Sequence, residues 1–217
     1  MTTLYLVRHG TTDGNISGIF QGRVDYPLNE MGHRQGEYLA LRFADVPLDA
    51  VYTSPLIRAR QTAEYLCRGK DLTPIPEPGV IELDAGKIDG RPREENLLNY
   101  PRQMELLMED VAKFYPPGGE SIQQLYDRVG EAVTRIVTEN PGRTVAIVAH
   151  GMALMTYNNL LHGIPRDRLQ RLMMTNMSVT TVLYPQPDRP QLQTFNDDSH
   201  IPEELRFLHG GLTLTGR

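Results

Sequence analysis

"LYLVRHGTTDGN", residues 4–15, begins with a short apolar run and stops abruptly at an arginine, a histidine and a glycine. An apolar run of four residues bounded by turn residues reads as a buried strand. The residues just past its end then stand at a sheet edge, where open α/β sheets hold their ligands. Arg8 and His9 either do chemistry at that edge or merely terminate a strand. The rest of the chain decides this by supplying partners or not.

Apolar, β-branched runs recur at residues 50–52 and 145–149, with a more alternating run at Val179–Tyr184. Segments of helical spacing lie between them. That alternation predicts an α/β fold with a mainly parallel sheet and helices on both faces. The clearest helix starts at Ser121, where Ile122, Leu125, Val129, Ala132, Val133, Ile136 and Val137 form one apolar stripe. Ser121 with Gln124 makes a capping-box pattern, and Asn140-Pro141-Gly142 supplies the stop. This helix feeds a strand that again ends in His-Gly, at His150 and Gly151. A third strand–helix junction, with a start signal at Ser54-Pro55, carries Arg58. The stretch 85–119, rich in Gly, Pro and charge, reads as an excursion from the sheet that could cover a site, with a helix over 103–114.

The chain has 217 residues, enough for one domain with a substantial core. A single domain over 1–217 is expected. Its one cysteine, Cys67, cannot form an internal disulfide and suits a reducing compartment. No apolar stretch approaches a membrane span, and the start lacks a secretory pattern. A soluble, cytoplasmic protein without membrane attachment is the expectation. The net charge of −5 argues against a sequence-independent nucleic-acid binder, although a few arginines can still hold a small anion locally.

If Arg8, His9, Arg58 and His150 meet at neighbouring strand ends, a phosphate fits among them. Arginines make forked, charge-assisted bonds to phosphate oxygens, and a neutral imidazole nitrogen is a competent nucleophile toward phosphorus. The leaving oxygen needs a proton donor. Glu82 is the first candidate, at the pocket rim, and Asp84 competes from the same strand face if the segment is extended. Asn15 offers an uncharged donor. His33, His162, His200 and His209 have no comparable setting. Zinc is disfavoured, because no closely spaced ligand set is present and arginines flank the histidines.

Several motifs in order resemble the histidine phosphatase superfamily, in its phosphoglycerate mutase-like branch. They are "LVRHGTTDGN", "FQGRVDYPLNEMGHRQG", "YTSPLIRARQTAE", "IELDAG", "GGES" and "VAHG". The resemblance implies a three-layer α/β/α sandwich and no metal or organic cofactor. It implies that His9 becomes phosphorylated, that Arg8, Arg58 and His150 form the phosphate pocket, and that Glu82 gives the proton. Asn15, Gln21, Gly22 and Gly151 are the implied substrate contacts. The chain departs from the mutase pattern after Glu82: "ELDAGKIDG" stands in place of an E-R-H-Y-G run, and no adjacent arginine pair follows, although Arg91, Arg93 and Arg102 could act singly. The expected reaction is therefore hydrolysis of a small phosphorylated metabolite. A mutase-type transfer and a non-catalytic phosphate-binding module are the alternatives. Oligomeric state is not legible, and Leu205 and Phe207 suggest an ordered tail.

Overall fold

The computed structural model describes residues 1–206; Phe207 and His209 lie outside the described residues. The first strand, β1 (Thr2–Arg8), is central. After it come β2 (Ala50–Thr53), β3 (Ile75–Pro76), β4 (Thr144–Ala149), β5 (Val179–Tyr184) and β6 (Gln191–Asp197). The sheet order is β3-β2-β4-β1-β5-β6. The first four of that order pair in parallel, while β5 and β6 add antiparallel. The helices are α1 (Asp13–Ile16), α2 (Glu30–Arg42), α3 (Ile57–Cys67), α4 (Arg93–Asn99), α5 (Pro101–Glu109), α6 (Ile122–Glu139) and α7 (Gly151–Leu161).

Alternation along the strands builds two cores, giving the three-layer α/β/α sandwich. Leu4, Leu6, Val145, Ile147 and Val182 face α6 and α7, whereas Val7, Val51, Ala146, Val148 and Val179 face α2 and α3. All seven apolar positions of the α6 stripe are buried, and Ser121 and Gln124 close the capping box reciprocally. The excursion 85–119 contributes Ile88, Met104, Val111 and Phe114 to the α6–α7 core.

Two local expectations shift, and two strands, β3 and β6, were not expected. The helix expected over 103–114 begins earlier, with Pro101 in its first turn, and stops at Glu109 before a 3-10 turn at Val111–Lys113. Helix α3 starts two residues after Pro55, at Ile57, because Leu56 is still extended and the Ser54 hydroxyl accepts from its N–H. Strand β3 is two exposed residues. Strand β6 is polar and half-exposed at the sheet edge, with an irregular register against β5. Neither carries an apolar run to read.

Helix α2 presses on the loop that leaves β1. A Cβ at Gly32 would stand inside contact distance of the Thr11 carbonyl oxygen, a backbone atom with little freedom to move. Gly130, on α6, has no neighbour nearer than 4.0 Å to such a Cβ. Gly32→Ala is expected to cost about 1–3 kcal/mol of stability, while Gly130→Ala should gain up to about 1 kcal/mol from helix propensity. Urea unfolding midpoints moving in opposite directions would bear this out.

Candidate active site

Parallel pairing places Arg8 opposite Ala149, so His9 and His150 are the next residues at the carboxyl ends of two adjacent strands. The His9 N–H donates to the Ala149 carbonyl at 3.0 Å, and the two rings lie 5.2 Å apart between centroids. Connections leave β1 and β4 in opposite directions, toward β2 and β5 respectively. This is the switch point at which an open α/β sheet leaves a crevice. Arg8, His9, Arg58, Glu82 and His150 are all buried there, none more than 4% exposed.

Hydrogen bonds assign the ring protons. His9 Nδ1 lies 2.7 Å from the Gly10 carbonyl oxygen, which can only accept, so Nδ1 carries the hydrogen and Nε2 the lone pair. For His150 the pattern is reversed. Arg58 Nε donates to its Nδ1 at 3.2 Å, so Nε2 carries the hydrogen and donates to the Ser54 hydroxyl at 2.6 Å. Burial first, and then the Arg58 charge, hold the His150 pKa well below 6.5 and keep the ring neutral. Both His150 nitrogens are thus engaged by Arg58 and Ser54.

The cations are buried with it. Arg58 donates from Nη1 to the Val24 carbonyl and from Nη2 to the Gly22 carbonyl, both at 2.8 Å, with the Asp25 carboxylate at 4.0 Å. Arg8 donates from Nη1 to the Met174 carbonyl. Burial lowers both guanidinium pKa values, Arg8 to about 10, although the Glu82 charge acts in the opposite direction. Even so, both remain charged at neutral pH.

Glu82 is not at a rim. Its carboxylate is buried on the first turn of α7, where Oε1 accepts from the Leu83 N–H at 2.8 Å and the Ala153 N–H at 3.0 Å, and Oε2 from the Met152 N–H at 3.0 Å. Burial raises its pKa above the ordinary carboxylate value, against those backbone donors. Asp84 lies elsewhere: it is 40% exposed, paired with Arg23 at 3.1 Å, and accepts from the Gly86 N–H. The segment is not a strand but runs between 3-10 turns at Pro78–Val80 and Gly86–Ile88, and it buries Glu82 while leaving Asp84 half-exposed.

Asn15 caps rather than reaches outward. Its Oδ1 accepts from the Thr12 N–H at 3.1 Å in the capping box of α1, and from Asn176 Nδ2 at 3.3 Å. Gln21 Oε1 accepts from the Thr12 hydroxyl, and its Nε2 is a buried donor without a partner among the described residues. Gly22 is required by crowding, since a Cβ there would lie 2.6 Å from the Ala85 methyl and 2.7 Å from the Leu83 carbonyl oxygen. Gly151 opens α7 beside Arg8, whose Cζ would be 3.6 Å from a Cβ at that position.

Three supports were not anticipated. Asn176 donates to the His9 carbonyl at 2.9 Å, next to Met177, whose φ of +59° is unusual for a side-chain-bearing residue. Thr62 accepts from the Gly10 N–H at 3.1 Å. Asp89 accepts from the N–H groups of Gly22, Arg23 and Val24, fixing the loop that holds Arg58. Of these, only the turn chemistry of Asp89-Gly90 had a local sequence signal. His33 pairs with Tyr65, His162 with the Asn158 carbonyl, and His200 with Arg42, all in other settings.

The family model described as the histidine phosphatase superfamily (branch 1) matches residues 4–198. Phosphoserine phosphatase 1 of Hydrogenobacter thermophilus is 30% identical over 203 residues, covering 94% of this chain and 96% of that protein. A probable phosphoglycerate mutase, GpmB, of Cronobacter sakazakii is 33% identical over 210 residues, covering 93% and 95%. Among solved structures, Bacillus stearothermophilus YhfR aligns with a TM-score of 0.88 at 32% identity, over 92% of this chain and 99% of that one. Paired strand-end histidines, two buried arginines and a match spanning both halves of the sheet place this chain in the histidine phosphatase superfamily.

Proposed function

We propose that this chain is a metal-independent phosphatase of small phosphorylated metabolites, acting in the cytoplasm through a phosphohistidine at His9. The observation that carries the reading is the charge arrangement. Two buried guanidiniums meet one carboxyl group whose proton is favoured, beside an imidazole tautomer that presents the Nε2 lone pair. The net positive charge of that arrangement complements a phosphomonoester dianion.

In the first step the Nε2 lone pair of His9 bonds to phosphorus as the ester P–O bond breaks. The leaving oxygen keeps that electron pair and takes the proton of Glu82. In the second step water attacks phosphorus and returns a proton to Glu82. The N–P bond breaks, and inorganic phosphate leaves. Arg8 and Arg58 balance the negative charge on the non-bridging oxygens throughout, with Gln21 Nε2 as a neutral donor.

Hydrolysis is preferred to a mutase reaction because the arginines of 85–119 are engaged locally. Arg91 bonds the Lys87 carbonyl and Glu95, Arg102 pairs with Glu105, and Arg93 contacts the Met108 sulfur. O-phosphoserine is the first ester to assay, given the name of one relative; 3-phosphoglycerate is the second, given the name of the other.

Three outcomes are expected. Wild type should release phosphate from at least one alkyl ester in a chelator-containing assay, and His9→Ala should lose at least about 10³-fold in kcat while 3-phosphoglycerate is not isomerised. Equal activity of the two proteins would remove the nucleophile assignment. Glu82 must be protonated to act, so kcat/KM for alkyl esters should fall as pH rises through its raised pKa; Glu82→Gln should lack that descending limb. His150 is buried neutral, with its pKa below the unfolded value of 6.5, so the unfolded chain binds the extra proton. Stability is full above that value and should fall by about 1.4 kcal/mol per pH unit below it, until the folded pKa is reached. Because burial also pushes His200 down to about 4, the His150 share is the difference between wild-type and His150→Gln slopes in denaturant titrations from pH 7 to pH 5.

A further inference from the structure

The segment that carries Glu82 has only short-range bonds of its own, such as Leu83 N–H to Glu82 Oε1 and Gly86 N–H to Asp84 Oδ1. Between Glu77 and Asp89 the chain has two single 3-10 turns and no strand or longer helix. From outside, α7 holds the Glu82 carboxyl by two N–H groups, and Arg128 on α6 holds the main chain that leads to it. Arg128 Nη1 donates to the carbonyls of Gly79 and Ile81, both at 2.9 Å, and Nη2 reaches the Glu82 carbonyl at 3.5 Å. The remaining donors go to Glu120, from Nε to Oε1 at 2.9 Å and from Nη2 to Oε2 at 2.7 Å. Five N–H groups thus meet five acceptors, the full capacity of a guanidinium. Glu120 also holds the segment directly: its N–H donates to the Asp84 carbonyl at 2.9 Å, and its Oε2 accepts from the Asp84 N–H at 3.4 Å.

We propose that the Arg128–Glu120 pair is the positioning element of the proton donor, fixing where the Glu82 carboxyl stands relative to the leaving oxygen. The inference rests on the role given to Glu82 above. Arg128 takes no part in the chemistry itself. It acts through the carbonyls of Gly79, Ile81 and Glu82 and so sets the direction from which the side chain enters the first turn of α7. Lysine cannot replace it fully, because three donors on one nitrogen cannot reach two carbonyls and both oxygens of a carboxylate in a fixed plane.

The test separates positioning from bulk stability by the leaving group. An alkyl alkoxide needs a proton as it departs, whereas p-nitrophenolate leaves without one. Accordingly, kcat/KM is compared for p-nitrophenyl phosphate and for the fastest alkyl ester of the panel, since it reports only steps through phosphoryl transfer to His9. Glu82→Gln provides the benchmark of selective loss. In Arg128→Ala the alkyl-to-aryl ratio of kcat/KM should fall by about 10²-fold, toward that benchmark, with Arg128→Lys and Glu120→Gln in between. If Arg128→Ala does not fold, the ratio in the latter two variants decides. Equal losses for both esters, or none, with Glu82→Gln still selective, would overturn the positioning role alone. A Glu82→Gln enzyme that does not discriminate between the esters would overturn the proton-donor role, and this inference with it.

Discussion

The parallel pairing of β1 with β4 is the constraint on which the rest depends. Its register sets Arg8 against Ala149 and so delivers two histidines side by side at the carboxyl edge of the sheet. A slip of one residue would turn Leu4 and Leu6 away from α6 and α7, because side chains alternate between faces. The apolar pattern that buries both faces of β1 therefore also aligns the histidines. Core packing and site assembly are the same requirement at this point of the molecule.

Around that pair, backbone groups meet much of the cost of burying charge. Arg58 rests on two carbonyl oxygens and Arg8 on a third, while Glu82 rests on three N–H groups. Peptide dipoles stabilise each charge without neutralising it, so the site keeps its attraction for an incoming anion. The loops that supply these dipoles are pinned in turn by Asp89, Asn176 and Thr62. Even the left-handed Met177 contributes, since its N–H donates to the Arg8 carbonyl at 3.0 Å.

The central strands, the α6 stripe and its cap were legible in the sequence because each depends on local pattern. The expected site residues Arg8, His9, Arg58, Glu82 and His150 are brought together, and the contacts Gln21, Gly22 and Gly151 lie around them. Less legible was what depends on distant partners. Strand β6 earns its place by pairing with β5, with little apolar character of its own. The burial of Glu82 follows from α7, some seventy positions further along the chain. Likewise, Asn15 reads as a donor from its amide, yet the Thr12 capping box claims its oxygen. Asn176 and Arg128 act through main-chain carbonyls, and nothing in their own neighbourhoods marks them.

The place of the Glu82 carboxyl on the opening amides of α7 ties two equilibria together. That carboxyl, whose proton burial favours, stands at the positive end of the helix and feels the charges of both guanidiniums. When a phosphate dianion arrives, the added negative potential makes the carboxyl hold its proton more tightly. By reciprocity, the protonated enzyme binds the dianion more tightly than the ionised one. The substrate thereby loads the acid that its own leaving group will use, and departure of the alcohol with that proton restores a carboxylate suited to accept one from water.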